Sequence, residues 1–294
     1  MEKAVYHLPG LFEFYDFYRK FLPIYREKTE YFYDWCQIGS LYGAPADCLW
    51  AGGRVSTGNA DPRQVLALTE EYGLSARLTF SNSLLRPEHL KDPKCNRLCA
   101  LFGAEPGNGV IVHSELLLDY LKEKYPNFYF VSSTTKVLTD FEDLAAETER
   151  PDFRYVVPDF RLNKAFDRLA GLKEKRKVEF LCNECCWPGC RERKACYENV
   201  SRKNLGEHCP DHICAAPEGE KGYRFSAAMK NPAFIGIRDI RETYLPMGFS
   251  QFKIEGRGLG SAMLLEFILY YLTKPEYQLP LREEMYLDSM LDLF

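Results

Sequence analysis

Short apolar runs alternate with amphipathic segments along most of the chain, and this alternation predicts strands and helices in turn. The apolar runs have the length and the β-branched or aromatic content of buried strands. Strands are predicted at 34–42, 76–80, 109–112, 128–131, 155–157, 177–181, 234–237 and 250–254. Helices are predicted at 11–26, 62–72, from 86 onward, and at 114–124, 141–149, 162–172, 239–245 and 262–272.

The order of these elements indicates an α/β fold with a parallel sheet. Strands that alternate with helices pair in parallel through right-handed crossovers. About eight such units within 294 residues favour a closed TIM-like (β/α) barrel over an open, doubly wound sheet. No G-x-G-x-x-G follows the first predicted strand, which argues against a dinucleotide-binding sheet.

Three segments follow from this pattern. Residues 1–30 are predicted as an N-terminal aromatic helix, residues 31–274 as the barrel, and residues 275–294 as a C-terminal tail. Residues 182–224, inside the barrel segment, are too long and cysteine-rich for an ordinary connection. We therefore expect a cluster-binding insertion there.

Composition and charge indicate a globular protein and argue against a membrane-spanning one. Hydrophobic residues make up 46% and charged residues 27% of the chain, as in ordinary globular proteins. No run approaches the roughly 18 apolar residues that a membrane span needs. The net charge of −4 gives no overall attraction to nucleic acid, although a local basic groove would still allow it. With no signal-peptide pattern at the start, a cytoplasmic protein without a membrane partner is expected.

The chain has 11 cysteines, an odd number that argues against a disulfide scaffold. Cys186 and Cys190 flank a Pro-Gly turn, Cys209 precedes a proline, and Cys214 follows. These four are the preferred metal ligands, since thiolates suit both iron–sulfur clusters and zinc. Zinc is favoured by His208 and His212 beside the later pair, and the remaining alternative is seven unpaired thiols. Cys185 and Cys186 are neighbours that point in different directions, so one of them is not a ligand.

Polar residues that follow the predicted strands would meet at one rim of a barrel. Each alone is typical of a loop, but together they favour a binding site. Substrate-binding candidates at this rim are Asn82, Ser133, Arg161, Asn183 and Lys253. The string Gln251-Phe-Lys-Ile-Glu-Gly-Arg257 adds Glu255 and Arg257, and Glu184 lies beside the cysteines. Arg257 has the fork that binds a carboxylate or phosphate, unless it pairs with a glutamate to close the barrel.

The K-I-E-G-R string after an apolar strand resembles the hallmark of the collagenase-like peptidase family U32. The resemblance implies a barrel that, in one branch, holds a 4Fe–4S cluster on four cysteines. Members of that branch take part in oxygen-independent hydroxylation of tRNA, ribosomal RNA or ubiquinone precursors, with prephenate as hydroxyl donor. It maps the first two cluster ligands onto Cys186 and Cys190 and the third onto Cys209 of Gly206-Glu-His-Cys. The fourth is Cys214 or else one of Cys182, Cys185 and Cys196.

Three functions remain open at this point. The leading one is a 4Fe–4S barrel enzyme for oxygen-independent hydroxylation or a related modification of an RNA base or a small anionic substrate, with Glu255, Arg257 and Glu184 as catalytic residues. The second is a peptidase, although no Ser–His–Asp set or H-E-x-x-H is apparent. The third is a non-catalytic subunit, stapled by zinc or a cluster, that joins a paralogous barrel.

Overall fold

The fold is built on eight strands that alternate with helices. The computed structural model describes residues 2–53, 58–217, 219 and 222–291, so small parts of the predicted 182–224 and 275–294 segments fall outside it. The strands are β1 (Ala4–Pro9), β2 (Cys36–Gly43), β3 (Ser75–Phe80), β4 (Gly109–Val112), β5 (Tyr129–Ser132), β6 (Phe153–Val156), β7 (Glu179–Leu181) and β8 (Gln251–Lys253).

Every neighbouring pair of strands is parallel. The order is β6-β5-β4-β3-β2-β1-β8-β7, and a parallel bridge between Val156 and Val178 brings the two outer strands together. This contact between the outer strands nearly closes the sheet into a ring. The predicted α/β fold, a TIM-like barrel, is confirmed.

The helices surround this ring and cover its outer face. They are α1 (Tyr15–Glu27), α2 (Pro62–Glu71), α3 (Pro93–Phe102), α4 (Glu115–Lys124), α5 (Phe141–Glu149), α6 (Phe166–Ala170), α7 (Arg193–Asn204), α8 (Phe225–Ala228), α9 (Ile237–Asp239), α10 (Ser261–Tyr271) and α11 (Gln278–Leu291). α9 continues as a π-helical turn over Ile240–Tyr244, and short 3-10 helices occur at Thr29–Tyr31, Pro87–Lys91, Thr134–Lys136, Phe160–Leu162, Lys175–Lys177 and Pro275–Tyr277. No helix in the described part of the chain is both long and apolar enough to cross a membrane.

Two strands differ from the sequence prediction. β1 lies within the segment that we predicted to be only an N-terminal helix, and it pairs with both β2 and β8. The buried polar His7 interrupts its apolar pattern, which hides the strand in the sequence. The predicted strand at 234–237 is wrong. Ile235 donates its N–H to the Cys182 carbonyl (3.0 Å), and Gly236 then leads directly into α9.

The C-terminal tail packs on the barrel's own helices. In α11, Arg282 pairs with Glu266 of α10 at 3.0 Å. Glu284 accepts a hydrogen bond from Tyr31 at 2.8 Å and pairs with Lys28, just after α1. The tail therefore fastens the last helices to the first one.

The barrel interior has an apolar layer and a charged layer. Five apolar side chains, one each from or just after β2, β4, β5, β6 and β7, form a small buried cluster separate from the main core: Tyr42, Ile111, Val131, Val157 and Leu181. The main core lies between the sheet and the helices. The charged layer, which contains Arg77 and Glu179, is completely buried. It supplies the inner part of the site described below.

Candidate active site

A cavity of about 260 Å³ opens at the carboxyl ends of the strands, where α/β barrels carry their sites. Most of the residues that line it come from or follow β2, β3, β4, β5, β7 and β8, and Tyr197 comes from α7. They are Tyr42, Gly53, Thr79, Ser81, Ile111, Ser133, Thr134, Thr135, Leu181, Glu184, Cys185, Tyr197, Lys253, Glu255, Gly256, Arg257, Gly258 and Leu259. The cavity is large enough for a small molecule or a single base.

Lys253 is the cationic side chain at the inner end of the cavity. Its Nζ lies 3.9 Å from the centre of the Tyr42 ring and 3.3 Å from the Glu179 carboxylate. Burial, together with the positive charges of Arg77 and Arg257, lowers the pKa of Lys253 to about 8, although Glu179 opposes this shift. A buried lysine with a lowered pKa is a frequent feature of functional sites.

Glu179 neutralises the charged layer below the cavity. Its carboxylate lies 2.5 Å from Arg77 and 3.5 Å from His7. Burial alone would raise the pKa of Glu179, but the positive charges of Arg77 and Lys253 hold it well below its usual range. Burial and the neighbouring Arg77 lower the pKa of His7 to about 3. The layer thus combines a fixed anion with a neutral imidazole and two cationic side chains.

Arg257 brings a guanidinium to the cavity from the segment after β8. Its Nη1 lies 3.4 Å from the carboxylate of Glu13, and only 6% of the side chain is exposed. A Cβ atom at Gly53 would lie 2.4 Å from the guanidinium, so any larger residue there would force the Arg257 side chain to shift. Burial raises the pKa of Glu13, with Arg257 acting in the opposite direction.

Asn183 ties the end of β7 to the K-I-E-G-R strand. Its Oδ1 accepts the N–H of Glu255 at 2.7 Å, and its Nδ2 donates to the Glu255 carbonyl at 3.1 Å. The next residue, Gly256, has φ of +151° and leaves space for the Phe267 ring. Asn183 therefore fixes the main chain that carries the Glu255 carboxylate.

Glu184 organises the loop that begins the cysteine-rich segment. Its Oε1 accepts the N–H groups of Cys185 (2.9 Å) and Cys186 (3.0 Å). Its other oxygen pairs with Arg193 of α7 at 2.6 Å, and Arg193 also lies 3.4 Å from Asp159. The proximity of Glu184 raises the pKa of Arg193, although burial would lower it. This buried network holds the loop against α7.

Cys185 is the cysteine that the structure places in the cavity. Its sulfur and one carboxylate oxygen each from Glu184 and Glu255 lie within 4.8 Å of one another. Three such atoms have the chemistry to hold a divalent cation. Because Glu184 is already engaged by Arg193 and two backbone N–H groups, we do not assign these residues as metal ligands.

The four predicted cluster ligands, Cys186, Cys190, Cys209 and Cys214, follow Cys185 along the cysteine-rich segment. Cys186 accepts a hydrogen bond at its carbonyl from Asn231 (3.0 Å), and Arg161 donates to the Cys190 carbonyl (2.8 Å). Cys209 lies against α7, with its sulfur 3.6 Å from the Asn199 amide. Cys214 is exposed. No three of these four sulfur atoms lie within 4.8 Å of one another among the residues described.

The predicted substrate-binding residues fall into two groups. Ser133 and Lys253 line the cavity, as do Glu184, Glu255 and Arg257. Asn82 and Asn183 are buried in contacts with the main chain: Asn82 donates to the Leu49 and Ser201 carbonyls. Arg161 pairs with Asp159 at 2.6 Å beside the cysteine loop. The side-chain amides of Asn82 and Asn183 thus hold neighbouring segments of the main chain in position.

Sequence reasoning missed several lining residues, including Tyr42, Thr79 and Tyr197. The hydroxyls of Thr79 and Ser81 are buried and form no hydrogen bond within the described part of the chain. The sequence does contain a pattern that predicts the position of Thr79 and Ser81. Polar residues at 75, 77, 79 and 81 alternate with apolar residues at 76, 78 and 80. This period of two places the polar residues on one face of β3, toward the interior.

The fold and the position of the cavity define an α/β barrel with a site at the carboxyl ends of its strands. Among solved structures, a U32 peptidase is similar to this chain. The two share 14% sequence identity and a TM-score of 0.55 over 88% of this chain and 94% of the other. At this identity the similarity establishes the fold alone. No protein-family model matches the sequence, and no curated protein matches it.

Proposed function

We propose that this chain is an iron–sulfur enzyme that modifies a small anionic substrate, or a single RNA base, in the cavity at the barrel mouth. The observation that carries the proposal is the direct continuity between the cavity and the cysteine-rich segment. Cys185 lines the cavity, and Cys186 follows it in a loop that Glu184 and Arg193 hold in place.

The donor set has the chemistry that a 4Fe–4S cluster needs. Cys186, Cys190, Cys209 and Cys214 form no disulfide among the described residues, and their side chains are partly or fully exposed. A cube of iron and sulfide separates its thiolates more widely than a tetrahedral zinc ion, whose sulfur ligands lie roughly 3.8 Å apart at Zn–S distances of about 2.3 Å. When bound, the cluster would supply one-electron chemistry or an iron site for substrate.

The chain's own residues would bind and orient the substrate. Arg257 would hold an acidic group of the substrate, and Glu255 would orient it or move a proton. Ser133 and Lys253 would contact it from the walls and the inner end of the cavity. We infer a positioning role for Glu184, because its carboxylate is engaged by Arg193 and the loop N–H groups.

The proposal is tested by anaerobic purification of the whole chain followed by single Cys→Ser changes at positions 186, 190, 209 and 214. The wild-type protein should be brown, and each change should lower its iron content. Cys99→Ala, a change within the buried core of α3, serves as the control and should retain the iron. A colourless wild-type protein with one bound zinc would support the zinc-stapled alternative and contradict the proposal.

Hydrolysis of peptides is a second candidate, favoured by the name of the similar solved structure and by Cys185 in the cavity. No histidine lies among the described residues that line the cavity, so a Cys–His pair is not formed there. Cleavage of collagen or peptide substrates by the wild-type chain and its loss in Cys185→Ala would favour the peptidase. Co-purification with a second barrel, with activity only in that complex, would favour the partner-subunit alternative.

A further inference from the structure

The inner end of the cavity holds the primary amine of Lys253. An ion pair alone does not explain why a lysine is buried at this position. Lys253 is 5% exposed, yet it lines the cavity together with Arg257, four residues further along the chain. A buried lysine is costly unless its charge is compensated, and the compensation here comes from one carboxylate shared with Arg77. Such an amine is placed for chemistry on a ligand in the cavity.

The surroundings of Lys253 suit a nitrogen that stays positive after it forms a bond. Glu179 lies 3.3 Å away, and the Tyr42 ring faces the nitrogen at 3.9 Å. An iminium nitrogen carries the same charge as an ammonium group, so both contacts would be kept. The lowered pKa of Lys253, about 8, makes the free amine roughly two hundred times more abundant at neutral pH than in an ordinary lysine.

The polar groups around the cavity indicate what the ligand carries. Thr79 and Ser81 present buried hydroxyls, 6% and 1% exposed, that lack a hydrogen-bond partner in the described chain. Arg257 adds a guanidinium whose Nη1 lies 3.4 Å from Glu13 and whose forked donors suit a second carboxylate from the ligand. Tyr42, Ile111, Leu181 and Leu259 supply apolar parts of the wall, which also carries the hydroxyls of Ser133, Thr134 and Thr135 and the carboxylates of Glu184 and Glu255. A small carbonyl compound with a carboxylate fits this combination.

We propose that Lys253 forms an iminium with the carbonyl group of a small carboxylated substrate while Arg257 binds the carboxylate. The lysine nitrogen forms a bond to the carbonyl carbon, the carbonyl oxygen leaves as water, and a C=N bond results. The ammonium form and the carbonyl compound together balance the iminium and one water, so no oxidant or reductant is needed. The inference does not rest on the iron–sulfur proposal.

The test is reductive trapping on the whole chain, with and without its metal. Pyruvate and cyanoborohydride should attach one reduced adduct per chain, and peptide mass spectrometry should map it to Lys253. Lys253→Arg keeps a positive charge beside Glu179 but cannot form an iminium, so its labelling should fall at least tenfold. Lys136→Arg is the matched control, since Lys136 is also largely buried and paired with a glutamate at 2.6 Å.

A second variant separates the roles of the two residues. Arg257→Met should lower labelling by pyruvate at least tenfold and leave labelling by acetone, which has no carboxylate, within twofold. Equal trapping in wild type and Lys253→Arg, or adducts spread over surface lysines, would overturn the proposal. Loss of both labels in Arg257→Met with an intact unfolding transition would overturn the assignment of Arg257.

Discussion

Glu179 is the residue on which the charge of the barrel interior depends. It is fully buried and contacts Arg77, His7 and Lys253. Removing one partner of a buried ion pair leaves uncompensated charge, which costs about 3–5 kcal/mol. The chemistry of the cavity and the stability of the barrel therefore depend on the same carboxylate, that of Glu179.

We therefore expect Glu179→Gln to lower the free energy of unfolding by about 3–5 kcal/mol, as measured by denaturant titration. The matched control is Glu149→Gln, whose exposed partner Lys173 lies 2.9 Å away. That change should cost less than about 0.5 kcal/mol, because exposed ion pairs contribute little. Equal losses in the two variants would show that the interior pair is not needed.

The lowered pKa of Lys253 gives the trapping reaction a defined dependence on pH. Burial is the largest cause of the Lys253 pKa of about 8, Arg77 and Arg257 lower it further, and Glu179 opposes them, while the Tyr42 ring faces the amine. Only the free amine attacks a carbonyl, so the initial rate of adduct formation should rise about tenfold per pH unit below 8 and level off above it. A rate that keeps rising to pH 10, as for an exposed lysine, would contradict the assignment.

Some of the residues at the site could be located from sequence, and others could not. Ser133, Lys253, Glu255 and Arg257 end up at the cavity because they follow or end buried strands. Asn82 was expected there for the same reason, but its amide bonds to Leu49 and Ser201. Ser201 lies more than a hundred residues away in sequence, so no local pattern reports that contact.

Among the elements, β7 and β8 hold the site together through Asn183. Its amide bonds to both main-chain polar groups of Glu255 and links the cysteine loop to the K-I-E-G-R strand. The loop at residues 184–186 is in turn held against α7 by the ion pair between Glu184 and Arg193. The geometry between the cavity and the cysteines therefore depends on these two connections.

Asn183→Ala should lower the free energy of unfolding by about 2 kcal/mol, since it leaves buried main-chain groups unsatisfied. It should also reduce both the iron content and the pyruvate adduct yield. Asn127→Ala is the control, because Asn127 also donates to two carbonyls, those of Gly103 and Ala104. If Asn127→Ala reduces the iron content equally, the link between β7 and β8 has no special role.

The elements also show which patterns are readable in a sequence. β4 was predicted with its observed bounds because four consecutive buried apolar residues form it. β1 was missed because His7 interrupts it, and the polar partners that explain His7 come from β2 and β8. The segment at 234–237 has the composition of a strand, but only one of its N–H groups, that of Ile235, bonds to the end of β7.

At the scale of the whole molecule, the barrel closes without help from the cysteine-rich segment. The Val156–Val178 bridge brings the outer strands together, and the main core contains, from residues 182–214, only Cys182. The alternation of strands and helices was enough to predict this architecture. How the long β7–β8 connection folds onto the rim depends on tertiary contacts such as Arg193 with Asp159.

Removing the metal should therefore leave the barrel folded. After chelation, far-UV circular dichroism should change little, while trypsin cleavage between residues 191 and 207 should become faster. Cys186→Ser should be cleaved at the faster rate with or without added iron. Global unfolding on chelation would contradict this separation of barrel and segment.

We propose that cysteines of the segment 185–214 hold an iron–sulfur cluster beside the cavity. The most direct measurement is iron and acid-labile sulfide analysis of anaerobically purified protein, combined with electron paramagnetic resonance after reduction. We expect about four irons and four sulfides per chain and the spectrum of a reduced 4Fe–4S cluster. A chain that takes up no iron under these conditions, or that holds a single zinc ion, would contradict it.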